Sequence, residues 1–117
     1  MATINIHGQI NKKLVQLLNN LALAVGDNIT DVVDTGQFGA KAGNAYLNID
    51  AVAGGNIIMK VQESPDGINW FDLATSATFT TAGAKAPLAF SALFALVRVV
   101  VNLSAGTGQV DNWVALS

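Results

Sequence analysis

The stretch Val61-Gln-Glu-Ser-Pro-Asp-Gly-Ile-Asn-Trp-Phe-Asp-Leu73 decides the fold class of this chain. Pro65 suits the second position of a type I turn and Asp66 the third. Gly67 suits the left-handed position that closes a three-residue hairpin loop with a bulge. Before the turn, Ile57, Met59 and Val61 alternate with Ile58, Lys60 and Gln62; after it, Trp70, Phe71 and Leu73 resume an apolar run. Alternation at period two on both sides of a turn predicts two antiparallel strands.

Outward from this hairpin, glycines recur from Gly26 to Gly108 and cut the chain into pieces of strand length. The pattern predicts strands at 21–25, 29–34, 45–52, 57–63, 70–74, 77–80, 94–103 and 110–116. Eight short strands with frequent turns point to an all-β antiparallel sandwich or barrel. Within 45–52, Leu47, Ile49 and Ala51 share one face and Tyr46, Asn48 and Asp50 the other, so one side is core and one is wet. Within 94–103, Val97, Val99 and Val101 form one apolar face. Leu96 and Val100, flanking Arg98, make the opposite face apolar too, and a strand of that kind is covered on both sides. The cover is read as a neighbouring subunit in preference to a lid from the same chain.

Residues 1–20 differ from the rest. Ile10, Leu14, Leu17 and Leu18, with Lys12, Lys13 and Gln16 between them, recur at helical spacing, which predicts a short N-terminal helix or an ordered arm ahead of a sandwich domain at 21–117. Such a helix caps one end of the sandwich; such an arm reaches a partner protein, because exposed leucines left uncovered promote aggregation.

Composition limits the function classes. At 117 residues the chain is one domain, and with 12% charged and 51% hydrophobic residues it has too few polar side chains to cover itself alone. Burial against further copies or partners is the natural remedy. A net charge of −2, with the six cations scattered along the chain, provides no basic footprint for nucleic acid. The apolar segment 86–101 is interrupted by Pro87, Ser91 and Arg98 and is shorter than the roughly 20 residues of a membrane helix, so it is read as strand and no membrane partner is expected. The N-terminus has no positive region followed by an apolar block, and synthesis in a cytoplasm is expected. The absence of cysteine removes thiolate nucleophiles, zinc–thiolate sites and disulfides, leaving stability to packing.

No reactive constellation emerges. His7 is the single histidine and lies near a terminus, so neither a zinc site of ordinary type nor a serine-histidine-aspartate system is expected. Asp27, Asp31 and Asp34 cluster in sequence, yet the glycine and terminal glutamate of a calcium-binding EF-hand loop are missing, and turn chemistry accounts for Gly26-Asp27-Asn28. The loops Gly36-Gln37-Phe38-Gly39 and Gly106-Thr107-Gly108 lack the lysine of a phosphate loop. The chain is therefore read as a non-enzyme without cofactor or metal. Trp70, Phe71 and Trp113 form a sugar-stacking platform only if they share an exposed face.

The combination of Ser64-Pro-Asp-Gly-Ile-Asn-Trp70 with a downstream Leu96-Val-Arg-Val-Val-Val101 strand, preceded by Ala45-Tyr-Leu-Asn-Ile-Asp50, resembles small structural proteins of tailed bacteriophages, notably head decoration (cement) proteins. The resemblance spans residues 29–116 and omits the arm. It implies a β-sandwich of jelly-roll kind on the virion surface, made in the host cytoplasm, contacting the major capsid protein and assembling as a homo-oligomer, dimer or trimer. It implies no catalytic residue. The expected partner-binding positions are Leu14, Leu17 and Leu18 in the arm, Trp70 and Phe71 beside the hairpin, and Leu96 and Val100 on the two-faced strand. The rival expectation is a tail, baseplate or fibre module, carbohydrate-binding in its sharpest form.

Overall fold

A computed structural model describes residues 13–38 and 42–116. Alternating apolar side chains are realised as strands β1 (Lys13–Ala22), β2 (Gly26–Ile29), β3 (Val33–Asp34), β4 (Ala42–Ala53), β5 (Ile57–Ser64), β6 (Phe71–Thr75), β7 (Gly83–Ala84), β8 (Leu88–Ser91), β9 (Leu96–Leu103) and β10 (Thr107–Leu116), with a 3₁₀ turn at Thr35–Phe38. They form two antiparallel sheets packed face to face, an all-β sandwich. The first sheet runs β1-β10-β4, with β7 and β8 both lying along the far edge of β4. The second has β9 flanked by β2 and β3 on one side and by β5 and then β6 on the other.

The core is the set of every-other residues that these registers turn inward. Leu47 and Ile49 of β4 and Val110, Val114 and Leu116 of β10 meet Ile57, Met59 and Val61 of β5 and Val97, Val99, Val101 and Leu103 of β9. β-Branched side chains dominate because they lose little rotamer freedom on a pleated surface. Among the buried polar residues, Asn112 lies within this core and donates from Nδ2 to the Tyr46 carbonyl at 2.8 Å.

The predicted helix is replaced by β1. Val15 pairs with Val114 across the sheet, and Leu17 and Leu18 pack against the core. The misleading spacing has a physical source: the β1–β10 register shifts between Gln16 and Leu18 and again between Leu18 and Leu21, where Asn20 adopts φ 55°. Each bulge inserts residues between inward side chains, so a period of two imitates a period nearer three or four. The residues before Lys13, including His7, Ile10 and Lys12, lie outside the described part, as do Gly39 and the rest of 39–41.

Bulges account for the other departures. Gln109 pairs with Ala51 but Val110 with Ile49, so Asp50 is the extra residue, and beyond it Val52, not Ala51, packs toward the core. The predicted strand 29–34 breaks at Thr30, whose backbone N–H donates to the Val99 carbonyl and whose Oγ1 accepts the Val99 N–H at 2.9 Å. Of 77–80, Phe79 alone pairs, through two hydrogen bonds with Ile57. The segment 21–25 divides between the end of β1 and a turn in which the Leu23 N–H donates to the Gly108 carbonyl.

The central hairpin is present, with a longer loop than the three residues expected. Glu63 pairs with Phe71, so Ser64 and 65–70 separate the paired positions. Side chains organise this loop: Ser64 Oγ accepts the N–H groups of Asp66 and Gly67, and Asp66 Oδ1 accepts those of Ile68 and Asn69. Gly67 does take the left-handed conformation, at φ 79°. At the opposite end of the strands the β4–β5 and β9–β10 turns touch. Gly106, at φ 72°, lies so close to the Ala53 carbonyl that a Cβ would collide with it, and Gly55 stands likewise against the Ala105 carbonyl.

Candidate functional site

The outer face of the second sheet carries a chain of polar contacts. Arg98 of β9 lies over the Trp70 ring at 4.2 Å from its centroid and donates from Nε to Gln62 Oε1 at 2.9 Å. Gln62 donates in turn to Asp72, which also pairs with Lys60 at 3.6 Å, and Asn102 donates to Asp27. Val100 sits within this face between Ile29 and Lys60, its cross-strand neighbours, and is only 4% exposed. Its cover comes from the chain itself.

One end of the sandwich is apolar and exposed. Glu63, inward-facing and buried, accepts the backbone N–H groups of Leu93 and Phe94 on Oε1 at 2.8 and 3.1 Å. This ties the β8–β9 loop to the hairpin and explains why β9 starts at Leu96 and not at Phe94. Phe71, the cross-strand partner of Glu63, is 55% exposed, Ile68 in the loop 80%, and Phe94 39%. Phe71 thus pairs with the residue whose carboxylate holds the Phe94 N–H, and Ile68 is exposed in the loop that joins the two strands. Leu96 is half-buried at the same end, beside Gly67.

The outer face of the first sheet has a different character. The alternation that turns Leu47, Ile49, Val110 and Val114 inward turns Tyr46, Asn48, Asp111 and Trp113 outward, and the register sets Trp113 opposite Tyr46 on β4 and Gln16 on β1. Between them lies a groove of about 320 Å³ lined by Leu14, Tyr46, Leu47, Asn48, Ala84, Lys85 and Trp113. Asn48 links the groove to a carboxyl pair, donating to Asp50 Oδ1 at 2.9 Å and to Asp111 Oδ2 at 3.2 Å. The backbone N–H of Asn20 donates to the other oxygen of Asp111. Partial desolvation, then the hydrogen bond and negative charge of Asp111, raise the Asp50 carboxyl above its ordinary value. Desolvation pushes Asp111 the same way, but hydrogen bonds from Asn48, Asn20 and Asp50 outweigh it and hold that carboxyl below its ordinary value. Asp50 is therefore the weaker acid of the two.

The seven anticipated partner residues fall apart into two kinds. Leu14, 68% exposed, and Phe71 stand on the surface, in the groove and at the apolar end respectively. Leu17 and Leu18 pack on the core, Trp70 lies under Arg98, Leu96 contacts the loop, and Val100 is covered within its sheet. Trp70, Phe71 and Trp113 share no face: the first two belong to the second sheet and Trp113 to the first. The aromatic that stands beside Trp113 is Tyr46, which alternation had placed on the wet face without revealing its partner. Asp27 and Asp34 are engaged separately, with Asn102 and with the Gly36 N–H, and among the described residues no three carboxylate or imidazole groups converge as a metal site would require. Also among the described residues, no helix is long and apolar enough to cross a membrane.

No protein-family model matches the chain, and no curated protein matches it.

Proposed function

We propose that this protein is a structural component of a bacteriophage virion, decorating the capsid and stabilising it by binding across adjacent major capsid subunits as a dimer or trimer. The observation that carries this reading is the exposure of Ile68, Phe71 and Phe94 at the hairpin and the loop that Glu63 ties to it, on a chain with few charges. A monomer that leaves large apolar side chains exposed to water has a surface suited to burial against protein.

Two further features support it. Counting β2 with β3 and β7 with β8 as one interrupted strand each, the sheets are ordered first-eighth-third-sixth and second-seventh-fourth-fifth. That is the jelly-roll wrapping used by many capsid and lectin domains. The two sequence features on which the resemblance to decoration proteins rests, the Asp-Gly turn ending in Trp70 and the Val-Arg-Val strand, meet as one unit through the Arg98–Trp70 stack. A small module repeated over a shell gains avidity from many weak contacts, and a ligand that binds only the assembled shell opposes its disassembly by mass action.

The test is quantitative mass spectrometry of purified virions. Copies comparable in number to the major capsid protein are expected; absence from the particle, or a few copies confined to the tail, would overturn the reading. The double variant Ile68→Ser, Phe71→Ser is expected to remain folded and to fail to bind shells that lack the protein.

A further inference from the structure

We propose that the groove on the outer face of the first sheet binds a neutral glycan, with one sugar ring stacked on Trp113 beside Tyr46 and its hydroxyls hydrogen-bonded to Asn48, Asp50 and Asp111. The inference goes beyond the virion reading and uses a different surface.

The argument starts from a contrast between the two outer faces. On the second sheet, Arg98, Gln62, Asp72 and Lys60 satisfy one another and the one large aromatic, Trp70, is covered by a guanidinium. On the first, a tryptophan and a tyrosine stand on neighbouring strands at directly opposed positions, both half-buried, flanking an open groove with Leu14 and Ala84. An indole beside a phenol presents flat apolar area of the shape that the C–H face of a pyranose covers, and each ring has a polar tip for a wet partner. About 320 Å³ lies at the small end of ligand sites, suited to a ring or two and not to a whole helix.

The polar rim specifies the rest. Sugar hydroxyls are donors and acceptors in close sequence along a ring, and they are met by groups of both kinds. Asn48 lines the groove itself, and the Asp50 and Asp111 carboxyls lie within its amide's reach. Charge selects among glycans. Two carboxyls on the rim disfavour sialylated, uronic or phosphorylated sugars, whose own negative charge is placed beside them. Lys85 also lines the groove and keeps its charge, with Nζ donating to the Thr81 hydroxyl at 3.1 Å and lying 5.5 Å over the Phe79 ring, but one ammonium does not outnumber two carboxyls. The groove is also pre-formed. Asn112 holds the Tyr46 carbonyl from beneath, and Trp113 is fixed on both sides by the β1 and β4 ladders, so little order remains to be created on binding. On a particle displaying many copies, weak single sites of this kind add up to firm attachment to a glycan-coated surface.

The experiment uses the full chain. Tagged protein, displayed multivalently, is applied to an array of neutral and acidic glycans, and the neutral glycan retained best is then titrated against ¹⁵N-labelled protein while the two indole N–H signals are followed. Retention of neutral glycans, with the Trp113 indole shifting and the Trp70 indole unmoved, is the expected result; Trp70→Phe assigns the signals. Trp113→Ala and Tyr46→Ala are each expected to weaken binding by about tenfold or more, and the wild-type indole readout stands even where a variant folds poorly. Retention of no glycan, retention of acidic glycans alone, or a shift at Trp70 with Trp113 unmoved overturns the proposal. So does a Trp113 shift that follows protein concentration without any glycan, which would put a second copy in the groove. Each failure leaves the capsid reading standing, since that rests on Ile68, Phe71 and Phe94.

Discussion

Arg98 stacks on Trp70 with its guanidinium carbon 4.2 Å from the ring centroid while its Nε donates to Gln62 at 2.9 Å. Strand β9 thereby grips the residue at which the hairpin loop re-enters β6, and two motifs distant in sequence become one structural device. Planarity matters here, because one flat group both covers the indole and aims a fixed N–H at Gln62.

Arg98→Ala is expected to cost about 1 kcal/mol, the size of a partly exposed cation–π contact. Arg98→Lys restores only part of this, since an ammonium cannot stack and donate in the same geometry. Urea denaturation measures the cost, and Trp70 emission in a Trp113→Phe background reports loss of the stack.

Glu63→Ala removes the acceptor shared by the Leu93 and Phe94 N–H groups. The expected destabilisation is about 2 kcal/mol, from the loss of two hydrogen bonds to a buried carboxylate. Glu63→Gln keeps one acceptor oxygen and is expected to cost less than half as much. Amide exchange at Leu93 and Phe94 accelerates in the alanine variant and much less in the glutamine one.

Gly106→Ala tests the close approach of the two turns. A methyl group there meets the Ala53 carbonyl and also forces a side-chain residue to hold φ 72°, so destabilisation by about 2 kcal/mol or more is expected. At Gly26, φ 101°, a Cβ meets nothing within 4 Å, so Gly26→Ala bears conformational strain alone and costs less. The difference between the two melting temperatures isolates the steric part.

Asp66 carries a pH signature. Hydrogen bonds from the backbone of Asn69, then from that of Ile68 and the Asn69 side chain, hold its carboxyl well below the usual carboxylate range. A depressed value in the folded state means that its stabilisation is fully present above the ordinary value of about 4 and is lost as the pH falls toward the folded value. The stability difference between wild type and Asp66→Asn is therefore expected to stay constant from about pH 8 to 5 and to shrink below about pH 4. A difference that persists unchanged to pH 2 would show that the carboxylate charge contributes nothing to the loop.

What the sequence determined by itself is the class of fold and its central hairpin. Period-two alternation assigns Leu47, Ile49, Ile57, Met59, Val97, Val99 and Val101 to the core, because inside or outside is settled residue by residue along a strand. Tertiary structure decided everything that depends on register. Bulges at Asp50 and around Leu18 and Asn20 changed which face a side chain takes, turned an apparent helix into β1, and left no local signal, since an inserted residue is recognised only against its partner strand. The groove is of the same kind. Tyr46 and Trp113 each read as outward on a separate strand, and only the pairing of β4 with β10 sets them side by side next to Asn48, Asp50 and Asp111.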